Sequence, residues 1–288
     1  MHVFITGSSG FVGRRLAHTL RAHGAQVEGV DFRALPGDPS LPIDLRELRA
    51  ADLRPFDVCV HLASDVGGFL HNAADRGQVE YELELIRAVA ELCRVKHCRR
   101  VIYASSIAVF ERAKAFTRGT LTTNAQRSHY ARAKAQGEKL VESLFEEFTI
   151  VRPTNIFGAA ATCVDTTAGE SHVIPELLRK IRANPTLEVL GDGRQMRNFV
   201  HVDDVVRFVM TVVQRPTRGW YNLRSDIQLS IAELAQELLE VTGQQRDIVF
   251  QPEYLRYEPQ PIYPFDMAET LALGWQPMVN SLRDGLAL

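Results

Sequence analysis

The chain has 288 residues, of which 45% are hydrophobic and 24% charged, values typical of a soluble globular protein of one large domain or two lobes. Its formal net charge of −2 argues against a nucleic-acid partner, and no uninterrupted apolar run is long enough to cross a membrane. Because a strand is predicted to begin at residue 3, we expect no signal peptide. The four cysteines form no Cys-x-x-Cys pair, which predicts buried thiols in a reducing, cytoplasmic compartment rather than a metal site: Cys59, Cys93, Cys98 and Cys163.

The first thirty residues predict a strand, a glycine-rich turn, a helix and a second strand, followed at once by Asp31. The elements are, in order, a short apolar strand Val3–Thr6, the turn Gly7-Ser-Ser-Gly10-Phe11-Val12-Gly13, a helix Arg14–His23 with Leu16 and Leu20 on one face and Gly24 as its stop, and a strand Val27–Val30. A strand, a turn and a helix in this order are typical of a dinucleotide-binding unit.

Each glycine of the turn has a separate physical reason. Gly7 allows a sharp turn because it reaches positive φ at little steric cost. Gly10 leaves no side chain where a pyrophosphate approaches the backbone, and Gly13 lets the helix pack close to the strand. The N–H groups at the start of the helix, including those of Phe11 and Val12, then face the phosphates.

Two acids predict the rest of the dinucleotide contact. Asp31 ends the second strand, where its carboxylate can accept hydrogen bonds from both ribose hydroxyls and repel a 2′-phosphate. This favours NAD over NADP as the cofactor. Asp44, followed by Leu45, could meet the adenine after a proline-rich loop.

Alternation of strands and helices continues to Gly158 and predicts an α/β fold with a doubly wound, Rossmann-like parallel sheet. The predicted elements are a strand Val58–Ala63, a helix Val79–Arg94 with Leu83, Ile86, Ala90 and Cys93 on its apolar face, a strand Arg100–Ala104, a helix over 128–147 and a strand Phe148–Val151. Residues 1–158 form the predicted dinucleotide-binding domain.

The pattern changes after Gly158, and residues 159–288 are predicted to form mainly a smaller substrate lobe, with part of 198–214 packing on the first domain. Its predicted elements are a helix from Ser171 to about Arg182, a strand Leu187–Leu190, a strand Phe199–Val202 leading into a helix at Asp203-Asp204, and a helix Leu234–Val241 behind the capping box Ser230–Glu233. Residues 251–265 are proline-rich and are expected to carry little regular structure.

Three residues carry the predicted chemistry. Tyr130 and Lys134 are four residues apart in a helical stretch and therefore share one face. A free tyrosine has a pKa near ~10, and an adjacent ammonium favours its phenolate, which makes it a usable base. Ser106 follows the strand Arg100–Ala104 at the sheet edge where ligands bind, and its hydroxyl could hold the reacting oxygen. A solvated helix face and a simple turn cap are the alternatives for the pair and for the serine.

Several motifs together resemble the extended short-chain dehydrogenase/reductases that modify nucleotide-linked sugars. They are Thr6-Gly-Ser-Ser-Gly-Phe-Val-Gly13, Asp31, Asp44-Leu45, His61-Leu-Ala-Ser64, Tyr103-Ala-Ser-Ser106, Tyr130-x-x-x-Lys134, Arg152-Pro-Thr-Asn-Ile-Phe-Gly158, Gly191-Asp-Gly-x-x-x-Arg197-x-Phe-x-His-Val-Asp-Asp204 and Leu273-Gly-Trp-x-Pro277. The resemblance covers nearly the whole chain and implies a homodimer. It implies cofactor contacts at Leu62, Ala63, Ser64 and Pro153 as well, with Tyr130 as acid/base and Lys134 on the nicotinamide ribose.

Two stretches are similar to the subgroup that includes GDP-fucose synthase and GDP-mannose 3,5-epimerase: Asp65-Val-Gly-Gly68 and Ser171-His-Val-Ile-Pro175. By that resemblance Val66, Gly67 and Val173 contact the substrate, and Asn155 and Arg197 hold its diphosphate, the arginine by a forked contact. His172 matches a histidine that acts as an acid in epimerisation, although it could simply line a pocket.

The departures narrow the chemistry. Ala108 stands where GDP-fucose synthase has a cysteine, and Ile107 and Ala108 replace the Asp-Glu pair of the 4,6-dehydratases. Glu82 stands where an asparagine is common, and Phe110 replaces a frequent tyrosine. The remaining redox core predicts an NAD(P)-dependent epimerase acting at C4 of a nucleotide-diphosphate sugar. The alternatives are an NAD(P)H-dependent reductase of a nucleotide 4-keto-6-deoxysugar and a non-catalytic dinucleotide-binding sensor.

Overall fold

The computed structural model describes residues 1–34, 37–68, 71–72, 74, 77–110, 128–159, 172–257 and 266–287. Helices and strands alternate along the first half of the chain. In chain order they are β1 (His2–Thr6), α1 (Phe11–Ala22), β2 (Gln26–Val30), β3 (Val58–His61), α2 (Gln78–Val95), β4 (Arg100–Ala104), α3 (His129–Leu144), β5 (Glu147–Pro153), β6 (Asn155–Phe157), α4 (Val173–Ala183), β7 (Thr186–Leu190), β8 (Met196–His201), α5 (Val202–Gln214), β9 (Gly219–Leu223), β10 (Gln228–Ser230), α6 (Ile231–Thr242), β11 (Asp247–Gln251), α7 (Ala268–Ala272) and α8 (Leu282–Ala287).

The largest sheet has six strands in the order β2-β1-β3-β4-β5-β9, and every neighbouring pair is parallel. The predicted Rossmann-like α/β fold is therefore confirmed. The chain leaves β1 for β2 on one side and later returns to β3 on the other side. In such sheets the crevice at this switch point, beyond the carboxyl ends of the strands, is where ligands bind.

Alternate residues of β1 show how the sheet is covered on both faces. Val3 and Ile5 belong to one apolar cluster with Leu16 and Leu20 of α1, and α1 packs against α5 there. Phe4 points to the opposite face and joins a cluster with Ile86 of α2, which packs against α3. Burial on both faces explains why the strand reads as a continuous apolar run.

The later residues build a second, smaller apolar core beside the large sheet. Strands β10, β8 and β6 form a three-stranded sheet, and β11 pairs with β7 in parallel. Residues Ile174 and Leu177 of α4 pack there with Leu234 and Leu238 of α6. The predicted capping box is present at the start of α6, with Ser230 and Glu233 bonded reciprocally.

The structure differs from the predicted elements in two informative places. On α2, Leu83 and Ala90 are only half-buried, whereas Leu85 and Val89 are fully buried, because the buried stripe is rotated relative to the predicted one. Strand β9, which the sequence pattern did not indicate, pairs with β5 and extends the large sheet. The division of the chain at residue 158 remains a prediction. Two later elements lie with the first part of the chain, because α5 packs against α1 and β9 joins the large sheet beside β5.

Three of the four cysteines lie within the described residues, and all three are buried. Cys59, Cys93 and Cys98 are buried and free, and Cys163 lies outside the described residues. Over the ranges that the structure covers, no helix has the length and apolarity needed to span a bilayer. Within those ranges no three His, Cys, Asp or Glu side chains are grouped as metal ligands.

Candidate active site

The glycine-rich turn between β1 and α1 has the close contacts that the sequence predicted. Gly7 has a φ of +71°, a value that L side chains rarely adopt, and its N–H donates to the carbonyl of Val30. A Cβ on Gly13 would lie 2.1 Å from the carbonyl oxygen of Gly7, so only glycine lets α1 approach the turn. The helix begins after Gly10, and the first N–H groups of a helix have no partner inside it. These groups can therefore bind phosphate oxygens.

Asp31 lies just beyond β2 with both carboxylate oxygens already oriented. Oδ2 accepts from the backbone N–H of Ser9 at 3.1 Å, and Oδ1 accepts from the backbone N–H of Arg33 at 2.9 Å. Each oxygen keeps a second lone pair, so the carboxylate can still accept from ribose hydroxyls. The turn that would hold the phosphates and the acid that would hold the ribose are thus tied together by Ser9.

Asp44 is paired within the protein. Its carboxylate accepts from the backbone N–H and the guanidinium of Arg46, with Nη2 at 2.8 Å from Oδ2. This hydrogen bonding lowers the pKa of Asp44. The adjacent Leu45 is buried in the core, so its predicted cofactor contact depends on its backbone.

The residues after β3 line the other side of the turn. The N–H of Ala63 donates to Oγ1 of Thr6 at 3.2 Å, and the backbone of Leu62 and Ala63 packs directly against Gly7. The hydroxyl of Ser64 donates to Glu82 at 2.6 Å. On the far side of the crevice Pro153 is the buried last residue of β5.

The structure brings the three predicted chemical residues to the carboxyl end of β4. Ser128 caps α3, which places Tyr130 and Lys134 on successive turns. Nζ of Lys134 lies 6.0 Å from the centre of the Tyr130 ring and donates at 2.9 Å to the carbonyl of Ala104, the last residue of β4. Ser106 follows two residues later, so the amine, the phenol and the hydroxyl share one edge of the sheet.

Ser106 also caps a short turn. Its Oγ accepts from the N–H of Ala108 at 3.2 Å, at the start of a 3₁₀ helix over Ile107–Phe110. A hydroxyl that accepts one bond still has its proton to donate. The two interpretations of Ser106 are therefore compatible.

From the sequence, Glu82 is notable only because it stands where the similar proteins commonly have an asparagine. The structure places its side chain in contact with Lys134, inside the site. Its side chain is 2% exposed. Oε1 accepts from Nζ of Lys134 at 2.8 Å and from the hydroxyl of Tyr103 at 2.6 Å, while Oε2 accepts from Ser64. Burial, the largest single effect, would raise the pKa of Glu82, but the Lys134 ammonium together with His61 and the hydrogen bond from Ser64 lowers that pKa. Burial, followed by the charge of Glu82, raises the pKa of Tyr103.

A second buried ion pair lies next to the carboxyl end of β4. Glu138, one turn beyond Lys134 on α3, binds Arg152 of β5, whose Nε lies 2.8 Å from Oε1. The hydroxyl of Ser105 donates to the same Oε1. The pair fixes Ser105 and so the backbone that carries Ser106.

The predicted substrate residues lie in two groups. Val66 is 45% exposed. The backbone of Gly67 is held by the side-chain amide of Asn72, which accepts from the N–H of Gly67 and donates to its carbonyl. Asn155 and Arg197 lie on the paired strands β6 and β8, where Asn155 donates to the carbonyl of Asn198 and Arg197 donates to the carbonyl of Met196. Their roles toward a diphosphate remain predictions.

Two histidines lie close in sequence to the predicted substrate residues. His172 precedes Val173 at the start of α4, and His71 lies on the loop after β3 with Nε2 at 2.9 Å from Oδ1 of Asp65. Partial removal from water lowers the pKa of His172, and the charge of His71 adds to this effect. The lowered pKa favours the neutral imidazole, and the acid role that the resemblance gives His172 remains a prediction.

Comparison with known proteins identifies relatives of one kind. The model of the NAD-dependent epimerase/dehydratase family matches residues 3–223. A dTDP-4-dehydro-6-deoxy-D-allose reductase from Streptomyces bikiniensis is 27% identical over 290 aligned residues, which cover 89% of this chain and 84% of the relative. GDP-L-fucose synthase from Escherichia coli K12 is 26% identical over 322 residues, with 99% and 94% covered.

The fold is also similar to that of solved structures. The structure of MoeE5 in complex with UDP-glucose and NAD superimposes with a TM-score of 0.80 at 26% identity, and the match covers 100% of this chain and 96% of that one.

Proposed function

Because the chain belongs to the NAD-dependent epimerase/dehydratase family, we propose that it oxidises and reduces a sugar carbon, C4, of a nucleotide-diphosphate sugar. The residues present fit NAD. The close approach of Gly13 to Gly7 holds the start of α1 against the turn, where its N–H groups can face the phosphates, and the oriented carboxylate of Asp31 suits an unphosphorylated ribose. When bound, NAD supplies a nicotinamide ring that takes up or returns a hydride.

The observation that carries this proposal is the convergence at the end of β4. Lys134 is held by the carbonyl of Ala104, Tyr130 lies beside it on α3, and Ser106 follows the same strand. A sheet edge of this kind is where a parallel α/β fold binds its ligand. An amine, a phenol and a hydroxyl together supply the groups that proton transfer at a carbinol requires.

Each residue then has one task. The Tyr130 phenolate removes the proton of the sugar hydroxyl during oxidation and returns it to the carbonyl oxygen during reduction. The Ser106 hydroxyl donates a hydrogen bond to that oxygen in both directions, without transferring its proton. Lys134 orients the nicotinamide ribose, and Asn155 and Arg197 bind the diphosphate.

Two forms of this chemistry fit the residues. A 4-epimerase oxidises C4, rotates the keto sugar and reduces it again, so its NAD is recycled; Asp31, which favours NAD, supports this form. A 4-ketoreductase runs the reduction once, and the similarity to dTDP-4-dehydro-6-deoxy-D-allose reductase and GDP-L-fucose synthase, over 89% and 99% of this chain, supports that form. Ile107 and Ala108 supply no acid or base for a 4,6-elimination.

Isotope transfer separates the two forms. The purified protein would be incubated with a panel of UDP-, dTDP- and GDP-hexoses deuterated at C4, and in parallel with their 4-keto-6-deoxy derivatives plus deuterated NADH. An epimerase returns the deuterium to C4 of the product without consuming added cofactor, whereas a reductase places the deuterium of NADH at C4. No transfer in either set would contradict the proposal. The homodimer that the family resemblance implies is tested separately by light scattering.

A further inference from the structure

The buried carboxylate of Glu82 changes what Lys134 can do for Tyr130. Nζ of Lys134 donates to two acceptors among the described residues, the carbonyl of Ala104 and the carboxylate of Glu82. The two charged side chains are 4% and 2% exposed, so water screens their interaction little. The ammonium that would favour a phenolate is therefore paired with an opposite charge of equal size.

The other titratable groups around the pair leave this balance unchanged. The hydroxyl of Tyr103 on β4 donates a hydrogen bond to Glu82, and burial raises the pKa of Tyr103, so this phenol stays neutral. His61 of β3 stacks on Tyr103, and burial lowers its pKa to about 4, so it is neutral at pH 7. On α3 itself, Arg132 contacts the ring of His129, and the next charge beyond Lys134 is Glu138, which forms a separate buried pair with Arg152 of β5.

A neutral amide at position 82 would have a different effect. Asparagine is common there in the proteins that this chain resembles, and it would leave the Lys134 charge to act on Tyr130 in full. A carboxylate cancels most of that effect, because two opposite charges 2.8 Å apart act at a distance as a dipole.

We propose that the Glu82 carboxylate offsets the ammonium of Lys134 and thereby keeps Tyr130 protonated at neutral pH, as a proton donor. Glu82 is thus a positioning residue that acts through Lys134. Resting on the proposed function, this selects its reductive form: the Tyr130 hydroxyl gives its proton to the oxygen of a 4-keto sugar while C4 is reduced by NADH, and the phenolate is reprotonated from solvent.

The test is a titration of Tyr130 that needs no substrate. Phenolate absorbance is recorded against pH with NAD bound, and the curve of the matching Tyr130→Phe protein is subtracted to remove the other six of the seven tyrosines. We expect the midpoint of Tyr130 to fall by about one pH unit in Glu82→Gln, because the ammonium is then uncompensated. Glu91→Gln, a change on the exposed face of the same helix, should leave the midpoint unchanged.

A midpoint in folded Glu82→Gln that is unchanged or higher would overturn the proposal. If this variant does not fold, Glu82→Gln combined with Lys134→Met removes both charges. Because Lys134 is also assigned to the nicotinamide ribose, this comparison is made without NAD in both proteins, and the midpoint should stay within about half a unit of the unmodified protein, since a compensated pair and an absent pair act alike. A rise of a full unit or more would show that Lys134 dominates and that Glu82 does not offset it. Failure of turnover on every sugar would contradict the proposed function and leave this titration unaffected.

Discussion

Nδ1 of His61 lies 2.7 Å from Oγ1 of Thr6, a contact that joins the ends of β3 and β1 directly beneath the glycine-rich turn. The ring is 1% exposed, and Nε2 has no hydrogen-bond partner among the residues that the structure describes. The bond to Thr6 places the neutral imidazole as part of the support for the cofactor turn.

This buried ring predicts that stability falls with acid. Burial lowers the pKa of His61 from 6.5 to about 4, so below pH 6.5 the unfolded chain binds a proton that the folded chain does not. The stabilising contribution of the neutral His61 to the free energy of unfolding is fully present above pH 6.5. It decreases as pH falls, by about 2 kcal/mol at pH 5. Urea unfolding at pH 7 and pH 5 measures it. Between pH 7 and pH 5 the free energy of unfolding of His61→Gln should fall by about 2 kcal/mol less than that of the unmodified protein. An equal fall in both proteins would contradict the assignment.

Tyr130→Phe removes the proposed proton donor and acceptor. We expect turnover to fall at least about 100-fold, the usual contribution of general acid–base catalysis, with NAD affinity changed less than about twofold. Steady-state rates and fluorescence titration measure the two quantities. Tyr81→Phe, which also deletes a phenol, serves as the control and should keep its rate. Unchanged turnover in Tyr130→Phe would remove the catalytic assignment and revive the sensor alternative.

Asp31→Ala removes the charge that disfavours a 2′-phosphate. We expect the ratio of NADP to NAD dissociation constants to fall at least about tenfold, which is about 1.4 kcal/mol. Calorimetric titration with both dinucleotides measures the ratio, and Asp52→Ala, at an exposed ion pair with Arg49, is the control. Equal affinity of the unmodified protein for NAD and NADP would already contradict this role.

Gly13→Ala places a methyl group against the backbone of the turn. The new carbon would meet the carbonyl oxygen of Gly7 at 2.1 Å and Cα of Ser8 at 2.8 Å, so α1 must move away. We expect a loss of about 1–3 kcal/mol of stability and of most NAD affinity. Gly10→Ala, with its nearest contact at 3.1 Å, should destabilise the fold less. The reverse order, measured by thermal unfolding, would show that the helix does not depend on this approach.

His172 is expected to exchange protons with the sugar next to the keto carbon. In His172→Ala, solvent deuterium should no longer enter C3 or C5, while oxidation and reduction at C4 continue. Mass spectrometry and NMR of the product in heavy water measure both. Full incorporation of deuterium in this variant would leave His172 only a lining role.

Local patterns in the sequence determined a large part of this protein. The positive φ of Gly7, the close approach at Gly13, the stop at Gly24 and the box at Ser230 depend on a few neighbouring residues, and the structure has them as predicted. The spacing of Tyr130 and Lys134 likewise fixes one helix face without reference to the rest of the chain.

The tertiary structure alone decided the contacts between distant segments. Glu82 shares the buried stripe of α2 with Leu85, Ile86 and Val89, which is a sign of a buried acid, but 52 residues separate it from Lys134. Strand β9 begins at Gly219 without a distinctive pattern and is held by its pairing with β5. Hydrophobic periodicity reports which side of an element is buried and not what it is buried against. The partner of a buried charge, which sets its effect on the chemistry, is therefore known only once the chain is folded.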